Sequence, residues 1–143
     1  MEPTLKDIFE AISSEGASWK VGCTEREAEE LAEEIITQTP SAAVRIIESW
    51  AWLDLRASEQ EEKAYAEDGL LTAVLFSHQI LRDFTGQMRR GHWICTTPIL
   101  NLETSWPVLR TKNTSYILVG PGHRRTVDAG VILSILSGAL HGA

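Results

Sequence analysis

Gly91-His-Trp-Ile-Cys-Thr-Thr-Pro-Ile-Leu100 and, beyond a polar turn, Val108-Leu-Arg-Thr-Lys-Asn-Thr-Ser-Tyr-Ile-Leu-Val-Gly-Pro-Gly122 decide the fold class of this chain. β-Branched and aromatic residues dominate both runs, and Gly91, Pro98, Pro107 and Gly120 punctuate them, which is the pattern of strands and their turns. The strands are expected over Trp93–Ile99 and Val108–Val119, the second stopped by Gly120-Pro121-Gly122. Immediately upstream, residues 72–83 alternate Val74, Phe76, His78 and Ile80 with Leu75, Ser77, Gln79 and Leu81, which predicts a further strand, although the run also accommodates a helix. Thr85-Gly86-Gln87 supplies the turn between them, giving an antiparallel meander of at least three strands over about residues 70–122. Downstream, Val127, Val131, Ile132, Ile135, Leu136 and Leu140 predict a closing helix over 127–140, weakened by Gly130 and Gly138.

The first half, about residues 1–68, reads as helical. Thr4 and Asp7 open a helix with Leu5, Ile8, Phe9 and Ile12 on one face, ending near Gly16. Thr24-Glu-Arg-Glu27 is a capping box, in which the Thr hydroxyl accepts from the amide three residues on and the Glu carboxylate reaches back. Behind it, Ala28, Leu31, Ala32, Ile35 and Ile36 form one apolar stripe, and Glu27, Glu29, Glu30, Glu33 and Glu34 fill the remaining arc. After Pro40 and Ser41, residues 42–57 predict a third, central helix that groups Val44, Ile47, Trp50, Ala51 and Leu55 and leaves Trp52 among Arg45, Ser49 and Arg56 on the polar side. Residues 58–68 either extend that helix or form a connection. The expected architecture is therefore α+β: N-terminal helices packed on an antiparallel sheet of three or more strands, with a C-terminal helix.

A single domain suffices for 143 residues of which 43% are apolar. The net charge of −7 is unevenly distributed: residues 1–70 carry 17 acidic and 6 basic side chains, and residues 71–143 carry 3 acidic and 7 basic. The start of the chain lacks the basic and apolar regions of a secretory signal, and no apolar run reaches the roughly 18 residues of a membrane span, so a cytoplasmic setting is expected, with no membrane contact. In that compartment Cys23 and Cys95 are expected as free thiols.

Arg82-Asp83, Gly86, Gly91-His-Trp93-Ile-Cys-Thr96-Thr97 and Thr111-Lys-Asn113-Thr114-Ser-Tyr116-Ile-Leu-Val-Gly120-Pro-Gly122 resemble an uncharacterised family of small proteins from phages, prophages and pseudomonad genomes. The resemblance covers residues 82–122 and implies a mobile-element or accessory setting; it brings no catalytic residues with it.

Catalytic motifs are wanting. His92 and Cys95 are three apart, which on a strand turns them to opposite faces and argues against a shared metal. Gly120–Thr126 lacks the Lys-Ser/Thr of a phosphate-binding loop and the spacing of a dinucleotide motif. No catalytic residue, metal or cofactor is expected. Arg89, Arg90, Arg110, Lys112, Arg124 and Arg125 would form an anion site if the hairpin ends met, with Trp93 and Tyr116 to stack bases, but the acidic balance of the chain argues against a nucleic-acid partner.

The expected function is that of a small non-enzymatic accessory protein. It would bind and modulate a host protein through Glu27, Glu30, Glu33, Glu34 and Trp52, with homodimerisation as a further expectation. The alternative is a small-molecule or nucleotide-binding protein, or an enzyme, that uses the basic turns of the second half.

Overall fold

The computed structural model describes residues 17–102 and 105–134. Its frame is one mixed sheet of seven strands: β1 (Ala17–Val21), β2 (Val44–Arg56), β3 (Ala73–Asp83), β4 (Ile94–Cys95), β5 (Val108–Arg110), β6 (Ser115–Val119) and β7 (Pro121–Asp128). Among the described residues three helices complete it: α1 (Glu25–Gln38), α2 (Glu59–Glu67) and α3 (Ala129–Ser134). In space the strands run β1-β7-β2-β3-β4, with β6 also on β2 and β5 on β6. This overturns the expectation of N-terminal helices on a small antiparallel sheet. The sheet dominates, and β2 is parallel to both β6 and β7.

The largest correction concerns residues 42–57, which form the long central strand β2 and not a helix. Ile46, Ile47, Trp50, Ala51 and Leu53 are all buried, so apolar residues occupy both strand faces. A strand covered on two sides loses the alternation that marks a half-buried one, and its apolar run then fits a helical stripe equally well. The β-branched and aromatic content, Val44, Ile46, Ile47, Trp50 and Trp52, was the better guide.

β2 pairs along its whole length with β3, from Arg45↔Asp83 to Asp54↔Ala73. Its other edge is shared: Val44–Glu48 pair with β6 and Ala51–Arg56 with β7. The changeover is at Gly120, which has φ 73°, opposite Ser49 of β2, which has φ 50°. Gly120-Pro121-Gly122 is therefore a kink from which pairing resumes, where the sequence suggested a stop. Ser49 and a register shift between Ile46 and Ile47 break strict alternation, so that Ile47 and Trp50, three apart, share one core cluster.

The strand expected over residues 72–83 is β3. The strand expected over Val108–Val119 is a hairpin: β5 and β6 are antiparallel and joined by a polar turn in which Thr111 N donates to Thr114 O at 3.0 Å. Of the run Trp93–Ile99 only Ile94 and Cys95 form regular strand, though Thr96 N and Ile99 N still donate to β3 carbonyls. Val127 belongs to β7, and the closing helix starts at Ala129; residues 135–140 of that expectation, and the Thr4–Gly16 helix, lie outside the described residues.

The capping box of α1 is present: Thr24 Oγ1 accepts from Glu27 N, and Glu27 Oε1 accepts from Thr24 N, each at 3.1 Å. Ala28 and Ala32, both without exposed surface, let α1 approach Val44, Ile46, Leu81, Ile117 and Val119 closely. Residues 58–68 contain an unforeseen second box, Ser58 with Glu61, which starts α2. Two ion pairs pin α1 to the second half, Arg82–Glu29 at 2.6 Å and Arg90–Glu25 at 3.4 Å. Part of the charge separation along the chain is thereby closed within the molecule.

Candidate functional site: an aromatic cleft with two cations

Alternation along β2 sends Trp50 and Trp52 to the same side of the sheet, where Trp19 of β1 and Trp106, two residues before β5, meet them. Trp19 lies edge-on to Trp50, Trp52 and Trp106 at centroid separations of 6.2, 5.2 and 5.8 Å, and Trp50 meets Trp106 at 5.7 Å. Edge-to-face contacts of this kind add roughly 0.5–1.5 kcal/mol each to the burial of the rings. Trp50 is the floor, 1% exposed, and the other three are half-buried.

Trp50, Trp52 and Trp106 have their N–H groups satisfied internally. Trp50 Nε1 donates to Gly120 O at 3.2 Å, Trp52 Nε1 to Asp54 Oδ1 at 3.0 Å and Trp106 Nε1 to Val21 O at 3.0 Å. The kink at Gly120 thus presents a carbonyl to the buried ring. Gly122 serves the same ring differently, because a Cβ there would stand 2.3 Å from Trp50 Cε2.

Two cations complete the cleft. Lys20 Nζ lies 5.0 Å from the Trp19 centroid and 4.7 Å from that of Trp106; the Arg124 guanidinium lies 5.1 Å from Trp19 and 5.5 Å from Trp52. Arg124 is held by Asp54 through Nε–Oδ2 at 2.7 Å and Nη2–Oδ1 at 3.1 Å, so Asp54 fixes both Arg124 and Trp52. The bonds to Asp54 push the Arg124 pKa up. Lys20 has no carboxylate partner among the described residues. Trp19, Lys20, Trp52, Leu102, Trp106, Leu109 and Arg124 line an open cleft of about 520 Å³. Leu102, 53% exposed, is with Val21 of β1 the large apolar side chain most exposed among the described residues.

Trp52 is thus not on the polar side of a helix. It is a half-buried wall of this cleft. Glu27 is occupied as the cap of α1, and the bond it accepts from the Thr24 amide lowers its pKa. Glu30, Glu33 and Glu34 remain exposed on α1, with Arg26 at 3.8 Å from Glu30. Glu34 lines a second groove of about 330 Å³ between α1 and the β5–β6 hairpin, with Leu31, Ile35, Val108 and Arg110.

The six basic candidates occupy separate places. Arg89 and Arg90 lie in the β3–β4 loop, with Arg90 on Glu25. Arg110 ends β5, and Lys112 is in the hairpin turn. Arg124 is in the aromatic cleft, and Arg125, next on β7, is turned to the other face of the sheet. Trp93 stacks on Phe76 at 6.1 Å, and Tyr116 is buried, accepting from Arg45 Nη1 at 3.3 Å. Burial raises the Tyr116 pKa, and Asp83 beside it is an internal hub: burial alone would raise its pKa, but bonds from the Thr85 hydroxyl and amide, the Arg45 charge and the Met88 amide lower it. Among the described residues, no three His, Cys, Asp or Glu side chains are placed to hold one metal ion, and no helix is long and apolar enough to cross a membrane.

The sequence reading missed Trp19, Lys20, Leu102, Trp106 and Leu109, which come from three separate segments. A Trp-x-Trp pair at 50 and 52 within a β-branched run was the available signal, because on a strand it places two indoles on one face.

No curated protein and no solved structure matches the chain. The family model described as "Domain of unknown function (DUF6957)" matches residues 20–134, which spans β1 to α3, and the chain belongs to that family.

Proposed function

We propose that this is a non-catalytic accessory protein that binds and modulates another protein, with the tryptophan cleft as its contact surface. The observation that carries this reading is the concentration at one place of three half-buried indoles, Leu109 and the exposed side chain of Leu102. Tryptophan, with arginine, is the residue most enriched among the anchors that dominate interface energies, and contiguous exposed apolar surface marks interaction sites. The resemblance to phage and pseudomonad proteins supports an accessory role in the bacterial cytoplasm. Self-association through the same cleft is one form the contact would take.

A photo-crosslinking amino acid at position 102, introduced in cells, tests the reading against the same group at position 62 on the exposed face of α2. A discrete adduct from position 102 alone is expected, and an adduct of twice the chain mass would identify a homodimer. Equal yields from both positions, or none from position 102, would remove the cleft as a contact surface.

A second surface has an observation of its own. Glu30 and Glu33 are exposed on α1 and Glu34 is exposed at the groove beside the β5–β6 hairpin, whereas Glu25 and Glu29 are tied to arginines of the second half. That leaves an exposed acidic patch suited to a basic partner surface.

A further inference from the structure

We infer that the cleft recognises an acidic–apolar segment of a partner protein: a large apolar or aromatic side chain seated against Trp52, Trp106 and Leu109, with a neighbouring Asp or Glu carboxylate on Lys20. This rests on the reading of the cleft as a protein contact surface and names the chemistry of what enters it.

The argument is one of charge and available faces. Of the two cations, Arg124 already has a bidentate carboxylate partner in Asp54, whereas among the described residues Lys20 is held by the rings of Trp19 and Trp106 and by no carboxylate. A cation fixed against indoles at the rim of an apolar cleft offers a single unmatched positive charge. A carboxylate brought there gains a charge-assisted bond and keeps the cation–π contacts. Among the described residues the walls, Leu102, Leu109 and the indoles, offer apolar area and no carboxylate. The complementary ligand is therefore apolar with one negative charge.

Competing classes fit less well. A polyanion would meet a chain of net charge −7 and the Asp54 carboxylate beside Arg124. A basic segment would be repelled by Lys20.

Selection of a random peptide library on the immobilised full-length protein provides the test, with the enriched peptides then titrated by tryptophan fluorescence. The expected motif places Asp or Glu within two positions of Trp, Phe or Leu. Lys20→Glu should weaken these peptides by about tenfold or more, and Lys20→Arg should restore binding. Lys20 is exposed, so a thermal melt should show both variants folded. Enrichment of basic peptides, no enrichment, or equal binding by the Lys20→Glu variant overturns the inference. So does quenching of the indoles by a thymidine oligonucleotide that outcompetes the peptides. If the position-102 crosslink persists in Lys20→Glu but is lost in Trp106→Ala, the contact surface stands and the acidic–apolar ligand falls.

Discussion

A Cβ built on Gly122 would stand 2.3 Å from Cε2 and 2.4 Å from Cζ2 of Trp50, so the buried indole of β2 lies directly against the backbone of the neighbouring β7 and only a hydrogen fits between them. Gly122→Ala must displace either the ring or the strand. Overpacking of this kind costs about 1–3 kcal/mol, and here it also strains the Trp50–Gly120 hydrogen bond. Chemical denaturation should show the loss; an unchanged midpoint would mean that the ring is not where the fold places it.

Ser49 carries φ 50°, the left-handed region in which a side chain costs about 1–2 kcal/mol. Ser49→Gly relieves that cost but loosens the unfolded chain by about 0.5–1 kcal/mol, so it should stay within about 1 kcal/mol of the parent. Ser49→Val, β-branched at the same angle, should lose more than about 1 kcal/mol. If the two substitutions melt alike, the kink opposite Gly120 is absent.

Burial pushes the Cys95 thiol up to about 12 and raises Cys23 as well, the latter also through Glu27. Thiolates are the reactive form, so both cysteines should label slowly at neutral pH, Cys95 the more slowly. A thiol that holds its proton more tightly when folded contributes stability that is whole below its ordinary value of 9.0 and is lost as pH rises towards 12. Tyr116, also raised, acts in the same direction. The denaturation midpoint should fall across that alkaline range, and less so in Cys95→Ala. Equal labelling rates for the two cysteines, or an identical alkaline fall in the variant, would contradict the burial of Cys95 against Phe76.

Thr24→Ala should cost about 0.5–2 kcal/mol, because it strands an amide at the start of α1. Reversing Glu30, Glu33 and Glu34 to Lys should leave the thermal transition cooperative, since none of the three contributes to the core under α1. A collapse of cooperativity would show these carboxylates to be structural.

Trp50→Ala should destabilise by about 3–5 kcal/mol as a buried large-to-small change. Trp52→Ala should cost less, because its ring is half-buried, yet it should abolish binding of any cleft ligand. Calorimetric melts of the two variants side by side decide this, and equal losses would make Trp52 a core residue.

What the sequence made legible was what local chemistry controls. Thr24 and Glu27 announced α1 because both halves of a capping box lie within four residues, and Gly86 with its neighbours announced the turn after β3. β2 was misread because burial on both faces erased its period of two: Ile46 packs under Ala28 and Ala32 of α1, whereas Ile47 packs with Trp50 and Tyr116, and neither cover is local in the sequence. The hairpin at Thr111–Thr114 hid inside a run of strand-forming residues. The cleft was illegible for a different reason: Trp19, Trp52, Trp106 and Arg124 are brought together by pairings between β1, β7 and β2, so only Trp52 and Arg124 could be singled out, and for unrelated roles.

Affinity capture from lysate of the source cell, quantified against two variants, tests the cleft most directly. One variant combines Lys20→Glu with Trp106→Ala; the other reverses Glu30, Glu33 and Glu34 to Lys. At least one protein should be retained in stoichiometric amount by the parent and by the acidic-face variant and be lost from the cleft variant, with all three chains melting cooperatively. Retention undiminished by the cleft variant, or abolished only by reversing the three glutamates, would contradict the assignment of binding to the cleft.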